Sequence, residues 1–171
     1  MENSFSKKLI TIALEEDLAW GDATTESLIN SNWSSEMVLL LKQDGVIAGL
    51  SLAQNIFREL DSDLQWESLV EEGELLKSGT VIASLKGKSQ ALVAAERTAL
   101  NILQRLSGIA TLTRKFIEEA RKGSSTVRIV DTRKTTPGLR YWEKYAVRIG
   151  GGQNHRLNLS DAVMIKDNHL A

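Results

Sequence analysis

Two adjacent cations and three hydroxyl groups share one short segment, DTRKTTPG at residues 131–138. Arg133 carries a planar guanidinium that can hold a carboxylate or phosphate through two hydrogen bonds, and Lys134 adds a compact positive charge. The segment follows the apolar stretch Val127–Val130 and ends in a Pro-Gly turn. Taken alone, it is compatible both with an ordinary solvated loop and with a site for a small anion.

Two more cationic clusters follow along the chain. In GGGQNHR at residues 150–156, the glycines would let the backbone approach a ligand, and His155 and Arg156 add two donors. Lys166 comes directly after a second apolar stretch, Ala162–Ile165. Singly, the glycines could form a flexible turn and Lys166 could be a surface lysine. Together, three like-charged clusters repel one another unless an anion compensates them, so they predict a site for a small, multiply charged anion.

The charge distribution supports the same interpretation. Residues 128–171 carry eight Lys and Arg against four Asp and Glu, whereas residues 1–127 carry thirteen against eighteen. Both histidines also lie in the C-terminal quarter. Cations gathered in one region of a nearly neutral chain favour binding of a small anion there. Nucleic acid is not expected as a partner, because its binding would need a broader basic surface than a net charge of −1 allows.

The elements that must position these clusters fall into two parts. Up to residue 106 the pattern predicts an α+β module, with helices over residues 5–19 and 53–60 and short strands within residues 33–87. From residue 90 the apolar period is helical, and we expect Ser107-Gly108 to divide this stretch into two helices.

Beyond these helices the order is strand, helix, strand. The predicted strands are Val127–Val130 and Ala162–Ile165, with a helix around residues 139–147 between them. Such alternation is typical of parallel strands in an α/β fold, which places its chemistry at the strands' C-terminal ends. We therefore predict an α/β protein in which an N-terminal α+β sandwich module, residues 1–106, precedes the first part of an incomplete (β/α) barrel, residues 107–171.

Composition limits the compartment. The chain has no cysteine, which excludes disulfide and thiolate chemistry and suits a reducing cytoplasm. Its first residues lack the basic and apolar regions of a signal peptide. Apolar runs such as Met37–Leu41 are too short to cross a bilayer, so no membrane association is expected.

Several strings, in order and spacing, resemble the quinolinate phosphoribosyltransferase family: ERTALN at 96–101, DTRKTTPGLR at 131–140, KYAVR at 144–148, GGGQNHR at 150–156 and IKDNH at 165–169. Weaker similarity at GDATT (21–25) and GVIAG (45–49) extends the match almost to the N-terminus. The resemblance also draws attention to Arg97. Position alone would make Arg97 a local ion pair with Glu96 on a solvated helix edge.

The resemblance implies a reaction of de novo NAD biosynthesis. Phosphoribosyl passes from 5-phosphoribosyl 1-diphosphate, usually presented with Mg²⁺, to quinolinate, giving nicotinate mononucleotide, pyrophosphate and CO₂. It implies no metal ligand from the protein and a cationic pocket formed by Thr132, Arg133, Lys134, His155, Arg156 and Lys166, of which Lys134 and Lys166 are catalytic. It also implies a homodimer or higher homo-oligomer, in which Arg97 reaches the partner subunit's pocket.

Two departures from the family pattern bear on these expectations. Ile149 stands where many relatives have cysteine, which we interpret as a change in packing. A (β/α)₈ barrel needs about 250 residues, and 65 follow residue 106 here. The sequence therefore predicts a C-terminally truncated barrel without the family's later acidic residues and 5′-phosphate loops, and these residues alone are not expected to complete the reaction.

Two alternatives stay open. One is a related enzyme, either another pyridine phosphoribosyltransferase or the molybdenum-transport-associated relative of the family. The other is a non-catalytic binding or dimerisation fragment. The complete set of Arg133-Lys134 and His155-Arg156 favours quinolinate, because its second carboxylate needs additional cations.

Overall fold

The computed structural model describes residues 2–170, with side chains from residue 4 onward. Its N-terminal part is the expected α+β module, with helices α1 (Glu2–Leu18), α2 (Ala23–Leu28) and α3 (Leu50–Leu60) and strands β1 (Ser34–Leu40), β2 (Gly45–Val46), β3 (Gln65–Ser68), β4 (Leu75–Leu76) and β5 (Val81–Lys88). The helices predicted over residues 5–19 and 53–60 correspond to α1 and α3. The short α2 was not predicted; it is capped by Asp22, whose carboxylate accepts a hydrogen bond from the Thr25 main-chain N–H at 2.9 Å.

The strands form two antiparallel sheets, one with the order β1-β5-β3 and one that pairs β2 with β4. In the larger sheet Leu85 lies opposite both Met37 and Trp66. Leu85 is buried, whereas the next residue, Lys86, is exposed and forms a salt bridge of 2.9 Å with Glu36. This alternation turns one face of the sheet toward the core shared with α3 and the following helix.

That helix, α4, runs without a break from Ser89 to Gly123 over 35 residues. The expected interruption at Ser107-Gly108 was therefore wrong. Ser107 Oγ accepts a hydrogen bond from the Ala48 main-chain N–H at 3.2 Å, and Leu106 and Ala110 continue the buried face on both sides. One glycine costs a helix interior about 1 kcal/mol relative to alanine, which this packing outweighs. The domain boundary after residue 106 stays a prediction, and it falls inside this helix.

The last helix, α5 (Arg140–Ile149), matches the helix predicted around residues 139–147 and packs on α4. Its Trp142 and Ala146 are buried in the core that α4 shares. Just after α5, Arg114 of α4 donates from Nε to the carbonyl oxygen of Gly150 at 3.0 Å and from Nη2 to that of Gly73 at 3.2 Å. A single side chain on α4 thus ties the C-terminal segment to a loop of the N-terminal module.

The two strands predicted after α4 do not form. Val127–Val130 makes one parallel bridge, between Val130 and Gln153, and Val130 is 45% exposed. Ala162–Ile165 has no strand partner among residues 2–170, and Ile165 is 67% exposed. A strand is stable only when neighbours satisfy its backbone hydrogen bonds. Among the described residues, Gln153 alone supplies such bonds to the first segment, and the second segment has no strand neighbour. After this segment comes a single 3₁₀ turn, Asp167–His169.

Candidate anion-binding site

The loop that follows Val130 is held in place by Glu143 of α5. Its carboxylate accepts hydrogen bonds from the Thr136 main-chain N–H and from Nε of Arg105 on α4, each at 3.0 Å. Thr132 Oγ1 in turn accepts the main-chain N–H of Lys134 at 3.0 Å. The loop conformation is thus fixed while the side chains of Thr132 and Lys134 stay exposed to solvent.

These contacts favour the ionised form of Glu143. Burial raises the pKa of this carboxyl, but the hydrogen bonds from Arg105 and Thr136 together lower it more, so the pKa lies below its ordinary value. The negative charge that anchors the loop is therefore present at neutral pH.

A second carboxylate, Asp131, connects the two cationic clusters. It forms a buried ion pair with Lys144 of α5. Its Oδ1 accepts the His155 main-chain N–H at 2.8 Å, and its Oδ2 accepts Nδ2 of Asn154 at 2.5 Å. The main-chain N–H of Asp131 donates to the Gln153 carbonyl at 3.0 Å. Residues 132–134 and residues 155–156 therefore begin close to each other in space.

The glycine run at residues 150–152 serves the protein's own packing. A Cβ on Gly150 would lie 2.4 Å from the carbonyl oxygen of Ala110, and one on Gly152 would lie 2.7 Å from Val147 Cγ1. Gly151 has φ of +93°, which disfavours other residues. We predicted that these glycines admit a ligand to the backbone; the close approach that Gly150 and Gly152 permit is to α4 and α5.

The predicted binding residues occupy different positions around this link. Arg133 is half-buried, and its Nε is buried without a hydrogen-bond partner among residues 2–170. His155 is exposed, and Arg156 donates from Nη1 to the carbonyl oxygen of Ala162 at 2.9 Å. The structure thus brings the first two clusters together and connects Arg156 to the segment that leads to the third.

Lys166 and Arg97 lie apart from these contacts. Lys166 is exposed, and within the described part of the chain it forms no salt bridge. Arg97 is exposed on α4 and, over the side chains described from residue 4 to 170, has no ion pair with Glu96. The plain interpretation of Arg97 as half of a local ion pair is therefore not supported, and its role stays a prediction.

The supporting residues were missed from sequence alone. Arg105, Glu143, Lys144 and Asn154 hold the two loops, yet only their tertiary partners reveal this. Lys144 and Asn154 fall within strings that carry the family resemblance, which gave them no role. In the sequence, the one available signal was that the charged residues Glu143 and Lys144 directly follow Trp142 in a predicted helix.

The carboxylates and histidines of the described residues do not form a metal centre in this region. Across residues 2–170, no group of three or more His, Asp or Glu side chains converges as metal ligands would. A cavity of about 510 Å³ lies between β1, β2 and α4, and none of the predicted binding residues lines it. In the same described range, every helix is too short or too polar to cross a membrane.

Comparison with known families agrees with the sequence resemblance. Residues 22–107 match the family described as quinolinate phosphoribosyl transferase, N-terminal domain, and residues 109–171 match its C-terminal domain. The two matched ranges leave only residue 108 between them, inside α4.

Individual relatives give the same result. The chain is 45% identical to quinolinate phosphoribosyltransferase [decarboxylating] 1b of Nicotiana tabacum and 46% identical to a probable nicotinate-nucleotide pyrophosphorylase [carboxylating] of Bacillus subtilis. Each alignment covers 96% of this chain, but 46% of the first relative and 56% of the second. The crystal structure of NadC from Streptococcus pyogenes superposes with a TM-score of 0.91 at 41% identity, over 96% of this chain and 57% of that one. The chain thus spans about half the length of the relatives it matches, and the predicted fold class is confirmed.

Proposed function

The chain belongs to the quinolinate phosphoribosyltransferase family, and we propose that it supplies the cationic part of an active site that transfers phosphoribosyl to quinolinate. The observation that carries this proposal is the link at Asp131, which makes neighbours of Thr132–Lys134 and His155–Arg156. Relatives named as decarboxylating quinolinate phosphoribosyltransferases support the identity of the substrate.

In this proposal the cations of the site bind two anionic substrates. Quinolinate carries two carboxylates, and 5-phosphoribosyl 1-diphosphate carries several phosphate charges. Arg133 has an unused, buried Nε and a guanidinium suited to a carboxylate. His155, Arg156 and Lys166 provide further positive or donor groups, and Thr132 lies at the edge. Neighbouring cations lower the mutual repulsion of the two substrates and orient them for reaction.

The reaction follows from this charge distribution. The pyridine nitrogen forms a bond to C1 of the ribose while the bond from C1 to the diphosphate oxygen breaks, and pyrophosphate leaves with the electron pair. Lys134 and Lys166 stabilise the negative charge that develops on the leaving group. The ribosylated ring nitrogen is positive, so it stabilises the electron pair left at C2 when the 2-carboxylate departs as CO₂. A proton from solvent then completes the product, nicotinate mononucleotide.

Mg²⁺ is expected with the diphosphate substrate rather than in a site on these residues. Mg²⁺ prefers carboxylate, phosphate and water oxygens. The two carboxylates beside the loops do not fit such a site, because Asp131 is engaged by Lys144, Asn154 and His155, and Glu143 by Arg105 and Thr136. No step is therefore assigned to a metal held by this chain.

Arg97 has a separate role in the proposal. It is exposed on α4 and unpaired with Glu96, which leaves its guanidinium available to a pocket in a partner subunit. The functional unit would then be a homodimer or a higher homo-oligomer. The cytoplasm is the proposed location, because a chain without cysteine suits a reducing compartment.

Turnover measured separately with two alternative substrates tests the proposal. The natural protein that contains this sequence is incubated with 5-phosphoribosyl 1-diphosphate, Mg²⁺ and either quinolinate or nicotinate, which lacks the 2-carboxylate. We expect pyrophosphate and CO₂ in equal amounts from quinolinate and little product from nicotinate. Equal turnover of nicotinate would indicate a related pyridine phosphoribosyltransferase instead. Absence of both turnover and quinolinate binding would indicate a non-catalytic module.

A further inference from the structure

Among the described side chains, Lys144 is the one lysine that is buried. Its side chain is 4% exposed, and that of its ion-pair partner Asp131 is 7% exposed. Nζ of Lys144 also donates to the carbonyl oxygen of His155 at 3.1 Å. Burial of an ammonium group costs desolvation free energy. The contacts of Lys144 show which parts of the chain this buried charge connects.

Lys144 and Asp131 connect the two cationic loops, residues 131–138 and 150–156, where they meet. The carboxylate of Asp131 accepts a hydrogen bond from the His155 main-chain N–H at 2.8 Å, and Nζ of Lys144 donates one to the carbonyl oxygen of the same residue. Asn154 Nδ2 bridges Oδ2 of Asp131 and the carbonyl oxygen of Lys144, at 2.5 and 2.9 Å. Both main-chain polar groups of His155 are thus fixed by one ion pair.

The Asp131–Lys144 pair and the residue it fixes, His155, lie next to the predicted substrate-binding residues in the chain. Asp131 directly precedes Thr132, Arg133 and Lys134, and His155 directly precedes Arg156. Because both side chains of the pair are more than nine-tenths buried, a ligand in the open site reaches neither. We infer that Asp131 and Lys144 are positioning residues that set the spacing between the two substrate-binding clusters. The inference rests on the proposed function for the ligand's identity, whereas the geometry stands without it.

Neutralising the pair one side at a time and then together tests this role in the natural protein. Asp131→Leu or Lys144→Met alone leaves a buried charge without its partner and should destabilise the fold. The double variant removes both charges, so its resistance to urea should recover toward that of the wild type. Its kcat/KM for quinolinate should nevertheless stay about 10²-fold low, because the bonds that fix His155 are not restored.

Hydrogen exchange gives a readout that does not depend on activity. In the double variant the His155 amide should exchange faster than in the wild type, while amides of the α4 core, such as Leu103, keep their protection. Local loosening of this kind supports positioning. Unchanged exchange at His155, or activity that recovers in step with stability, would overturn it.

The exposed ion pair between Lys77 and Asp44, 2.7 Å long, provides a matched control. The double variant Asp44→Leu/Lys77→Met should change neither quinolinate turnover nor His155 exchange. The two proposals can fail separately. If the wild-type protein neither binds nor converts quinolinate, the proposed function is refuted, and exchange at His155 still decides whether Asp131 and Lys144 position the loops.

Discussion

Nε of Arg105 lies 3.0 Å from Oε1 of Glu143, and this contact joins the long helix α4 to the first turn of α5. Glu143 uses its other oxygen to accept the Thr136 main-chain N–H. The loop with Arg133 and Lys134 is therefore anchored to the same helix that forms the core of the N-terminal module. Substitution of Arg105 or Glu143 should therefore alter the conformation of the binding loop and also lower the free energy of unfolding.

The first prediction is a pH-dependent effect of Glu143→Gln. The pKa of Glu143 lies below its ordinary value of 4.5, so its carboxylate stabilises the fold above that pH, and this contribution is lost as pH falls through the folded-state pKa. At pH 7 the variant should lose about 1.5 kcal/mol of unfolding free energy, a low value because Arg105 is half-exposed. Urea titrations from pH 7 to pH 3 should show the difference from wild type shrinking. An equal difference at both ends would contradict the role given to the charge.

The second prediction concerns the glycines against α4. Gly150→Ala would force a Cβ to within 2.4 Å of the Ala110 carbonyl oxygen and 2.8 Å of Thr113 Cβ. Overpacking of this kind should cost about 1–3 kcal/mol of unfolding free energy. Gly108→Ala is the matched control, because beyond its chain neighbours and the adjacent backbone of α4 nothing lies within 4 Å of its added Cβ. In the interior of α4 that change should instead stabilise by roughly 0.5–1 kcal/mol. Thermal unfolding that ranks the two variants the other way round would refute the packing assignment.

The third prediction tests subunit sharing. If Arg97 serves the partner's pocket and Lys166 serves its own, Arg97→Ala and Lys166→Ala proteins should each be inactive as homodimers. Mixed after subunit exchange, they should regain part of the activity, because one heterodimer pocket contains both native residues. Exchange is verified by native mass spectrometry with one partner isotopically labelled. Verified exchange without any recovery would place Arg97 outside the shared site.

The sequence predicted the N-terminal module well because alternation and helical period there reflect contacts within one compact core. It was wrong at Ser107-Gly108, where packing of Leu106 and Ala110 outweighs a local helix breaker. It was also wrong about strands at 127–130 and 162–165, since an apolar run becomes a strand only beside a hydrogen-bonding neighbour.

Within the site, sequence identified residues whose chemistry suits an anion, such as Arg133 and His155. It missed Lys144 and Glu143, because a buried charge is distinguished from a solvated one only by the partners that the fold supplies. The link from Asp131 to His155 spans 24 residues, and no local pattern encodes it.

Calorimetric titration of quinolinate into Arg133→Ala tests the central claim most directly, with the natural protein and the exposed-residue control Arg58→Ala titrated alongside. The wild type and Arg58→Ala should bind quinolinate with the same affinity. Loss of a charge-assisted, two-point contact should weaken binding to Arg133→Ala by roughly 1.5–3 kcal/mol. Affinity unchanged by Arg133→Ala, in a protein whose fold is intact, would contradict the assignment of this loop to the dicarboxylate.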